Sequence, residues 1–449
     1  MLRSAACVAA IALVTAGGAS AEVVARGVQD GLLALDAKGV PSVAWVRNST
    51  LFISERPAPH SWTRTATASV PPGSSVVAFE IGAAGPVALV QSGDDRTVVL
   101  VRPRSVGWQT IRVAKVGALF RLGWPGLALD ARGLPVIAYT RWNGPTLKSR
   151  LLVSRIDAKG HISTRRITQE GFPKSLVPPP ATPVLFGNVV HVVESYGYRG
   201  VLGTLEWFPS RKTWIGLGLD AGLGDYPVGP VFAGLSRNGV MHAAWTESLL
   251  SFDLEAAPVT LVERHRFASS VFVLERALTS ALALPATGPE VAANQWVSAT
   301  DLGLEGDSNL WGGTVVRGRS KVELDGWISG YAAPPRGGRD VLLGGPDGLR
   351  WFHALHRVST RVTIEASDDG VSVIVSGRVG GVASGTVTLY RERPGEPRTA
   401  IGRAAITGGE YSFVDRPPER PLVYRAVYTD QTTGIPYAAL LRKPVGLAQ

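Results

Sequence analysis

One segment of about fifty residues recurs along most of this chain. The stretch LALDAKGVPSVAWV at residues 33–46 returns as LALDARGLPVIAYT at residues 127–140. Weaker copies stand at residues 79–90, 184–193 and 232–245, and the faintest at 290–297 and 342–355. Self-similarity at a fixed period is the signature of a repeat architecture. The chain is therefore predicted to stack similar units rather than to fold around one mixed core.

Each copy centres on a turn between two apolar stretches. The turn residues are Gly39, Gly85, Gly133, Gly187, Gly239, Asn294 and Gly348, spaced by 46 to 55 residues. That length holds about four short strands, the content of a propeller blade. One such sheet cannot bury both faces, so the units must pack on one another. We therefore predict an all-β chain with a β-propeller at residues 22–360, of seven blades or alternatively six. The stretch EVVARGV, at residues 22–28, is expected to complete the last blade.

Composition removes several other classes. Hydrophobic residues make up 45% and charged residues 18% of the chain, which excludes a disordered protein and a coiled coil. The net charge is +10, but the basic residues are spread along the sequence. The densest places are Arg165–Arg166 and the pair Arg317 and Arg319. This scatter favours a solvated surface over a polyanion-binding one, and no nucleic-acid partner is expected.

The first residues have the pattern of a secretory signal. Arg3 precedes an apolar run at residues 4–16, and Ala19–Ala21 fits the small-residue cleavage rule. The run is shorter than the roughly 20 residues that span a bilayer. Residues 1–21 are therefore predicted to be a signal peptide. The mature chain would lack the single cysteine, Cys7, and would be secreted or extracytoplasmic, in the periplasm or cell envelope, with no membrane span.

A different unit is predicted at residues 361–449. All 12 tryptophans lie before it, and it contains seven short apolar stretches separated by turn clusters such as SDDG and DQTTG. Short strands at regular spacing indicate a β-sandwich. One earlier segment, at residues 269–285, is compatible with either a helix or two strands, because its period favours neither.

These patterns resemble two kinds of bacterial module. The LALD-x-x-G-x-P unit with its following aromatic residue is similar to the repeats of secreted BNR or sialidase-like β-propellers. The phrases SGRV, GTVTLYRE and YRAVY resemble Ig-like or fibronectin-III-like modules. The first resemblance implies a propeller. The Ser-x-Asp-x-Gly-x-x-Trp motif of the sialidase-like group is not present in full. The second resemblance implies a module that spaces, docks or binds.

Candidate catalytic residues occur in the segment ESYGYRG. Glu194, Tyr196 and Arg199 would place a carboxylate beside a phenol and a guanidinium just after a strand, a combination that could bind or hydrolyse a sugar. A glycosidase also requires a second carboxylate about 5–10 Å away, which a sequence does not identify. This set is therefore a candidate for the catalytic residues of a carbohydrate-active enzyme.

Three aromatic residues are candidates for binding a ligand. Tyr198 lies in the same segment, and Trp207 and Trp311 fall outside the repeated tryptophan positions. Exposed aromatic rings stack on sugars, whereas buried ones fill space between blades, and the second role is the commoner.

One acidic segment is a candidate for metal binding. Asp301, Glu305 and Asp307 lie in DLGLEGDSNLWGG, where oxygen ligands on a glycine-rich loop could hold calcium. The spacing does not match an EF-hand, and a solvated polar turn is the simpler interpretation. No metal and no cofactor are expected.

The sequence thus favours an exported, monomeric, non-catalytic recognition or scaffold protein that binds a glycan or an envelope or extracellular protein through its propeller. The alternative is a carbohydrate-active enzyme, a sialidase-like glycoside hydrolase with carboxylates near the propeller axis.

Overall fold

A computed structural model gives the fold. It describes residues 21–28, 30–167, 178–186, 189–196, 201–208, 213–219, 226–227, 232–235, 240–248, 259–266, 273–278, 290–298, 309–317, 320–335, 337–345, 347–354, 358–393, 396, 398–417, 422–441 and 445. These residues contain strands and turns but no helix, so no helix among them could cross a membrane. The predicted signal peptide falls, apart from Ala21, outside the described residues.

The strands form seven sheets, and every strand pair in them is antiparallel. The N-terminal strand is β1 (Glu22–Ala25), and the first sheet contains β2 (Leu32–Leu35), β3 (Pro41–Arg47), β4 (Thr50–Ala58) and β5 (Ser61–Ser69). The second sheet contains β6 (Ser75–Gly82), β7 (Gly85–Gln91), β8 (Thr97–Pro103) and β9 (Trp108–Lys115). The third sheet contains β10 (Phe120–Leu122), β11 (Gly126–Leu129), β12 (Pro135–Asn143), β13 (Lys148–Ile156) and β14 (Ile162–Ile167).

The fourth to seventh sheets follow in chain order. They are β15 (Ala181–Phe186), β16 (Val189–Tyr196), β17 (Val201–Phe208) and β18 (Thr213–Leu219); β19 (Tyr226–Pro227), β20 (Phe232–Leu235), β21 (Val240–Ser248), β22 (Val259–Arg266) and β23 (Val273–Leu278); β24 (Glu290–Ser298), β25 (Asn309–Arg317) and β26 (Ser320–Leu324); β27 (Trp327–Ala332), β28 (Arg339–Gly345) and β29 (Gly348–Ala354).

Consecutive sheets pack face to face through apolar clusters. Ile53 and Phe79 share a cluster between the first and second sheets, and Leu100 and Ile137 share one between the second and third. The innermost strands contact one another in series, from β27 to β2, β6, β11, β15 and β20. This radial arrangement of antiparallel sheets is that of a β-propeller.

The repeated turn has a local cause that the sequence already suggests. In both strong copies the aspartate side chain accepts backbone N–H bonds across its own turn: Asp36 from Val40 at 2.7 Å, and Asp130 from Leu134 at 2.9 Å. Gly39 then adopts φ +81° and Gly133 φ +74°, a backbone conformation that favours glycine. The Asp-Ala-basic-Gly sequence therefore specifies a tight connection between the first two strands of its sheet.

Two of the proposed repeat positions are wrong. Asn294 is not in a turn but inside β24, where it pairs with Gly313 of β25. Gly348 opens β29, in the hairpin between the second and third strands of its sheet rather than between the first and second. In the seventh sheet the connection between the first and second strands, β27 and β28, is longer and consists of residues 333–338. In the segment that allowed a helix or strands, residues 273–278 form β23.

The N-terminal strand joins the end of the propeller to its beginning. β1 pairs with β29, with Glu22 opposite Trp351, which confirms that EVVARGV completes the last sheet. The Glu22 carboxylate is nearly inaccessible, with 7% of the side chain exposed, and it accepts two bonds of 2.7 Å from Arg56 in β4. It also accepts bonds from the His60 backbone N–H at 3.2 Å and from the Trp62 indole at 2.9 Å. One side chain of the seventh sheet is thus tied to the outer hairpin of the first.

The C-terminal region forms seven strands in the predicted stretches. They are β30 (Glu365–Asp368), β31 (Val373–Arg378), β32 (Ser384–Glu392), β33 (Thr399–Thr407), β34 (Glu410–Asp415), β35 (Val423–Thr429) and β36 (Pro436–Leu440). β36 pairs with β26, so the sheet of this region is continuous with the sixth sheet. Arg398 holds Asp325 by two bonds across the junction. Inside the region, Arg425 forms a buried ion pair with Glu392.

We expect Glu22→Gln to lower the free energy of unfolding by about 2–3 kcal/mol, because Arg56 and the Trp62 indole lose a charged acceptor. Burial acts to raise the pKa of Glu22, but the bonds from Arg56, His60 and Trp62 outweigh it and lower the pKa below 4.5. The contribution is therefore present above pH 4.5 and lost as the pH falls below that value. Urea unfolding at pH 7 and pH 3 measures both effects.

The matched control is Glu410→Gln. Glu410 pairs with Arg378 at 3.0 Å, but both side chains are more than half exposed, so the change should cost less than about 1 kcal/mol. Equal losses in the two variants at pH 7 would show that the Glu22 contact does not hold the propeller closed.

Candidate functional site

The site residues proposed from sequence lie where the structure does not describe their side chains. Glu194 and Tyr196 are backbone positions of β16, Trp207 of β17 and Trp311 of β25. Tyr198 and Arg199, like the acidic set Asp301, Glu305 and Asp307, fall outside the described residues. The hypotheses built on them stay predictions. Among the described residues there is no group of three or more His, Cys, Asp or Glu that could hold a metal.

A cleft of about 300 Å³ opens between β1 and the outer strands of the first sheet. Its floor is aromatic. The rings of Trp45 and Phe52, on β3 and β4, are stacked with centroids 5.7 Å apart and planes 20° apart. Trp62 of β5 stands beside them, held by its bond to Glu22. The closure of the propeller therefore also fixes one wall of the cleft.

Arg26, Arg47 and Arg64 rim this cleft. All three are solvent exposed. The Arg64 guanidinium lies 3.7 Å from the centre of the Phe52 ring, and Arg47 donates a long bond of 3.4 Å to the Arg26 carbonyl. No acidic side chain of the described residues forms an ion pair with any of these arginines. The cleft therefore concentrates positive charge without an internal counter-charge.

Local structure explains how Arg47 is presented. It ends β3 opposite Thr50, next to a two-residue hairpin turn at Asn48 and Ser49 with φ of 50° and 57°. Positive φ at both central residues is the type I′ geometry that joins twisted strands, and asparagine tolerates it well. Strand alternation then puts Trp45 and Arg47 on one face of β3. Sequence reasoning missed this set because Arg26 and Arg64 join it only through strand pairing.

The aromatic rings and the arginine side chains of the cleft suit two different parts of one ligand. An aromatic ring packs against the apolar face of a sugar ring. A guanidinium presents a fork of N–H donors that matches a carboxylate or sulfate. The cleft thus has the chemistry to bind an anionic carbohydrate, and it contains no carboxylate placed to cleave one among its lining residues.

A second group of interest lies at the inner edge of the sheets. Glu80 is on the innermost strand β6, at the place that Ala34 and Ala128 occupy on the neighbouring innermost strands. The adjacent Phe79 and Ile81 pack toward the first sheet, so Glu80 is directed to the opposite face. Desolvation by the surrounding protein raises the pKa of Glu80 to about 7, although part of the residue is exposed to solvent.

Asp30, just before β2, is another carboxylate with a raised pKa, caused by burial and partly offset by the Gly31 N–H. When β2 and β6 are aligned by their strand pairing, Asp30 corresponds to a position four residues before Glu80. Asp30 lies outside β2, whose first residue is Leu32, whereas Glu80 lies within β6.

We expect Glu80→Gln to raise the free energy of unfolding at pH 8 and to leave it nearly unchanged at pH 4. The folded state favours the protonated carboxyl, so stability present below pH 4.5 is lost as the pH rises through about 7. Denaturant unfolding between pH 4 and pH 8 tests this, with Glu410→Gln as the exposed control. Parallel pH profiles for wild type and Glu80→Gln would contradict the raised pKa.

Comparison with known proteins identifies no family. No family model and no curated protein sequence matches the chain. Solved structures that resemble it include a protein from Lactobacillus plantarum (TM-score 0.40, 11% identity, 72% of this chain and 87% of that one). Others are an alpha-L-arabinanase from Penicillium chrysogenum (0.36, 11%, 80% and 94%) and a sucrose-6-phosphate hydrolase from Lactobacillus gasseri (0.34, 9%, 94% and 88%). Two of these three are carbohydrate-acting enzymes, but likenesses at this level assign no activity.

Proposed function

We propose that this protein is an exported recognition protein that binds anionic carbohydrate through the cleft between β1 and the first sheet. One observation carries the proposal: three arginines without an acidic partner among the described residues surround stacked aromatic rings. A carboxylate on a sugar would supply the missing counter-charge, and the sugar ring would pack against the partly exposed rings of Phe52 and Trp62.

The proposed architecture is a seven-bladed propeller with an Ig-like β-sandwich at residues 361–449. Its support is the order of the seven sheets and the seven C-terminal strands, in which β33 and β34 are joined only by the pair Thr407 and Glu410. Export, to the periplasm, envelope or medium, is supported by the apolar run and cleavage pattern of residues 1–21. In this proposal the protein acts as a monomer, and its propeller is the binding module.

Hydrogen exchange of the full chain with a galacturonic acid trisaccharide tests the cleft directly. We expect the sugar to protect peptides within residues 50–69, and the carboxyl-reduced trisaccharide to protect them far less. Replacing Arg47 and Arg64 by Gln should raise the sugar concentration needed for this protection at least about 100-fold, because two charge-assisted bonds are lost.

The control exchanges two exposed arginines of the C-terminal region, Arg378→Gln with Arg403→Gln, which make the same change in net charge. It should bind as the wild type does. Equal protection by the acidic and the reduced sugar, or equal loss in both double variants, would contradict recognition of an anion at this cleft.

A second candidate function is glycoside hydrolysis. The observation that favours it is Glu80, whose pKa of about 7 suits a general acid at neutral pH. In this alternative Glu194, with Tyr196 and Arg199, is the proposed source of the second carboxylate. Mass spectrometry of sugars incubated with the protein would detect cleavage. Hydrolysis that disappears in Glu80→Gln and in Glu194→Gln would replace the binding proposal, and no cleavage of any tested sugar would remove this candidate.

A further inference from the structure

The third sheet repeats the chemistry of the cleft at the equivalent place. Arg141 follows Pro135 by six residues on β12, as Arg47 follows Pro41 on β3. Pro135 pairs with Leu129, the last residue of β11, and Pro41 pairs with Leu35, the last residue of β2. The two arginines therefore occupy equivalent positions in the two sheets. Two residues before each arginine is an aromatic residue, 5% exposed in both sheets, namely Trp45 and Tyr139.

Arg141 is also seated on an aromatic ring. Its guanidinium lies 3.8 Å from the centre of the Phe120 ring of β10. This matches the contact of Arg64 with Phe52 in the first sheet. The Arg141 Nε is buried and has no hydrogen-bond partner among the described residues. A buried donor that lacks a partner is costly, so this group is suited to an acceptor from outside the chain.

Like charges surround Arg141 on the same face. Arg150 of β13 is directly opposite it, and Lys148 lies two residues earlier on that strand. Arg166 of the outer strand β14 pairs with Leu152, which places it diagonally next to Arg150. Leu152 packs into the cluster shared with the second sheet, so this is the face turned toward that sheet. The first-sheet cleft likewise lies on the face turned toward the preceding, seventh sheet.

This row of cations is intrinsically unfavourable. Opposed like charges on adjacent strands destabilise a sheet. No acidic side chain of the described chain forms an ion pair with Arg141, Lys148, Arg150 or Arg166. Lys148, Arg150 and Arg166 are exposed, so ligand anions can reach them. Basic residues that the sequence spreads over residues 141–166 are thus gathered by strand pairing into one surface.

We propose that this surface, Phe120 with Arg141, Lys148, Arg150 and Arg166, is a second site for anionic carbohydrate, so that one chain engages a polymer of acidic sugars at two places. The inference rests on the proposed function of the first-sheet cleft and extends it. A polymer with a negative group on every residue can occupy both sites, and the second contact then forms at a high effective concentration.

Calorimetry with the galacturonic acid trisaccharide counts the sites. We expect two sites in the wild type, one after Arg141→Gln with Arg150→Gln, and one after Arg47→Gln with Arg64→Gln. The control pair Arg378→Gln with Arg403→Gln should keep two. Polygalacturonate should bind the wild type at least about 100-fold more tightly than the trisaccharide, and this gain should vanish in either site variant. Circular dichroism of each variant establishes that it is folded.

Each remaining outcome separates the two proposals. One site that is lost only with Arg47 and Arg64 overturns the second site and leaves the proposed function in place. One site that is lost only with Arg141 and Arg150 overturns the first-sheet cleft and keeps the third-sheet site. Two sites that bind the carboxyl-reduced trisaccharide equally well overturn the role of the anion. No binding by the wild type overturns both proposals.

Discussion

The propeller depends on one carboxylate that reaches from its last sheet to its first. Most contacts between sheets are apolar and could in principle slide, since hydrophobic burial has no direction. The Glu22 side chain does have a direction: it is buried, and Arg56 and the Trp62 indole converge on its two oxygens. That contact links the seventh sheet to the outer hairpin of the first, and Trp62, which it holds, lines the cleft beside it.

The first-sheet cleft and the basic surface of the third sheet show how a repeat fold gathers side chains that no short motif encodes. A repeat places an aromatic residue and an arginine two residues apart on the second strand of two sheets, as with Trp45 and Arg47. The remaining groups come from neighbouring strands and from β1. Strand pairing assembles cations that form no ion pair within the part of the chain that the structure describes, and an anion bound there would offset part of their mutual repulsion.

The fold was largely predictable from the sequence, and the site was not. Turn chemistry at Asp36 and Gly39 and the alternation of the strands are local properties, so their consequences can be read from the chain. Gly348 was misplaced because a longer connection in the seventh sheet shifts the repeat, and spacing alone does not reveal that shift. Asn294 lies inside β24, although its spacing from Gly239 fits the repeat. Phe120 beside Arg141 depends on pairing across a sheet, which no periodicity encodes.

The pairing of β1 with β29 also governs the order of assembly. Glu22 leaves the ribosome first, yet its ladder partner Trp351 is made more than three hundred residues later. Contacts so far apart in sequence make folding slow, because the chain must close a long loop before they form. β1 therefore has no pairing partner until the intervening sheets and β29 have been synthesised. A chain that crosses a membrane before folding would have both ends of the propeller available together.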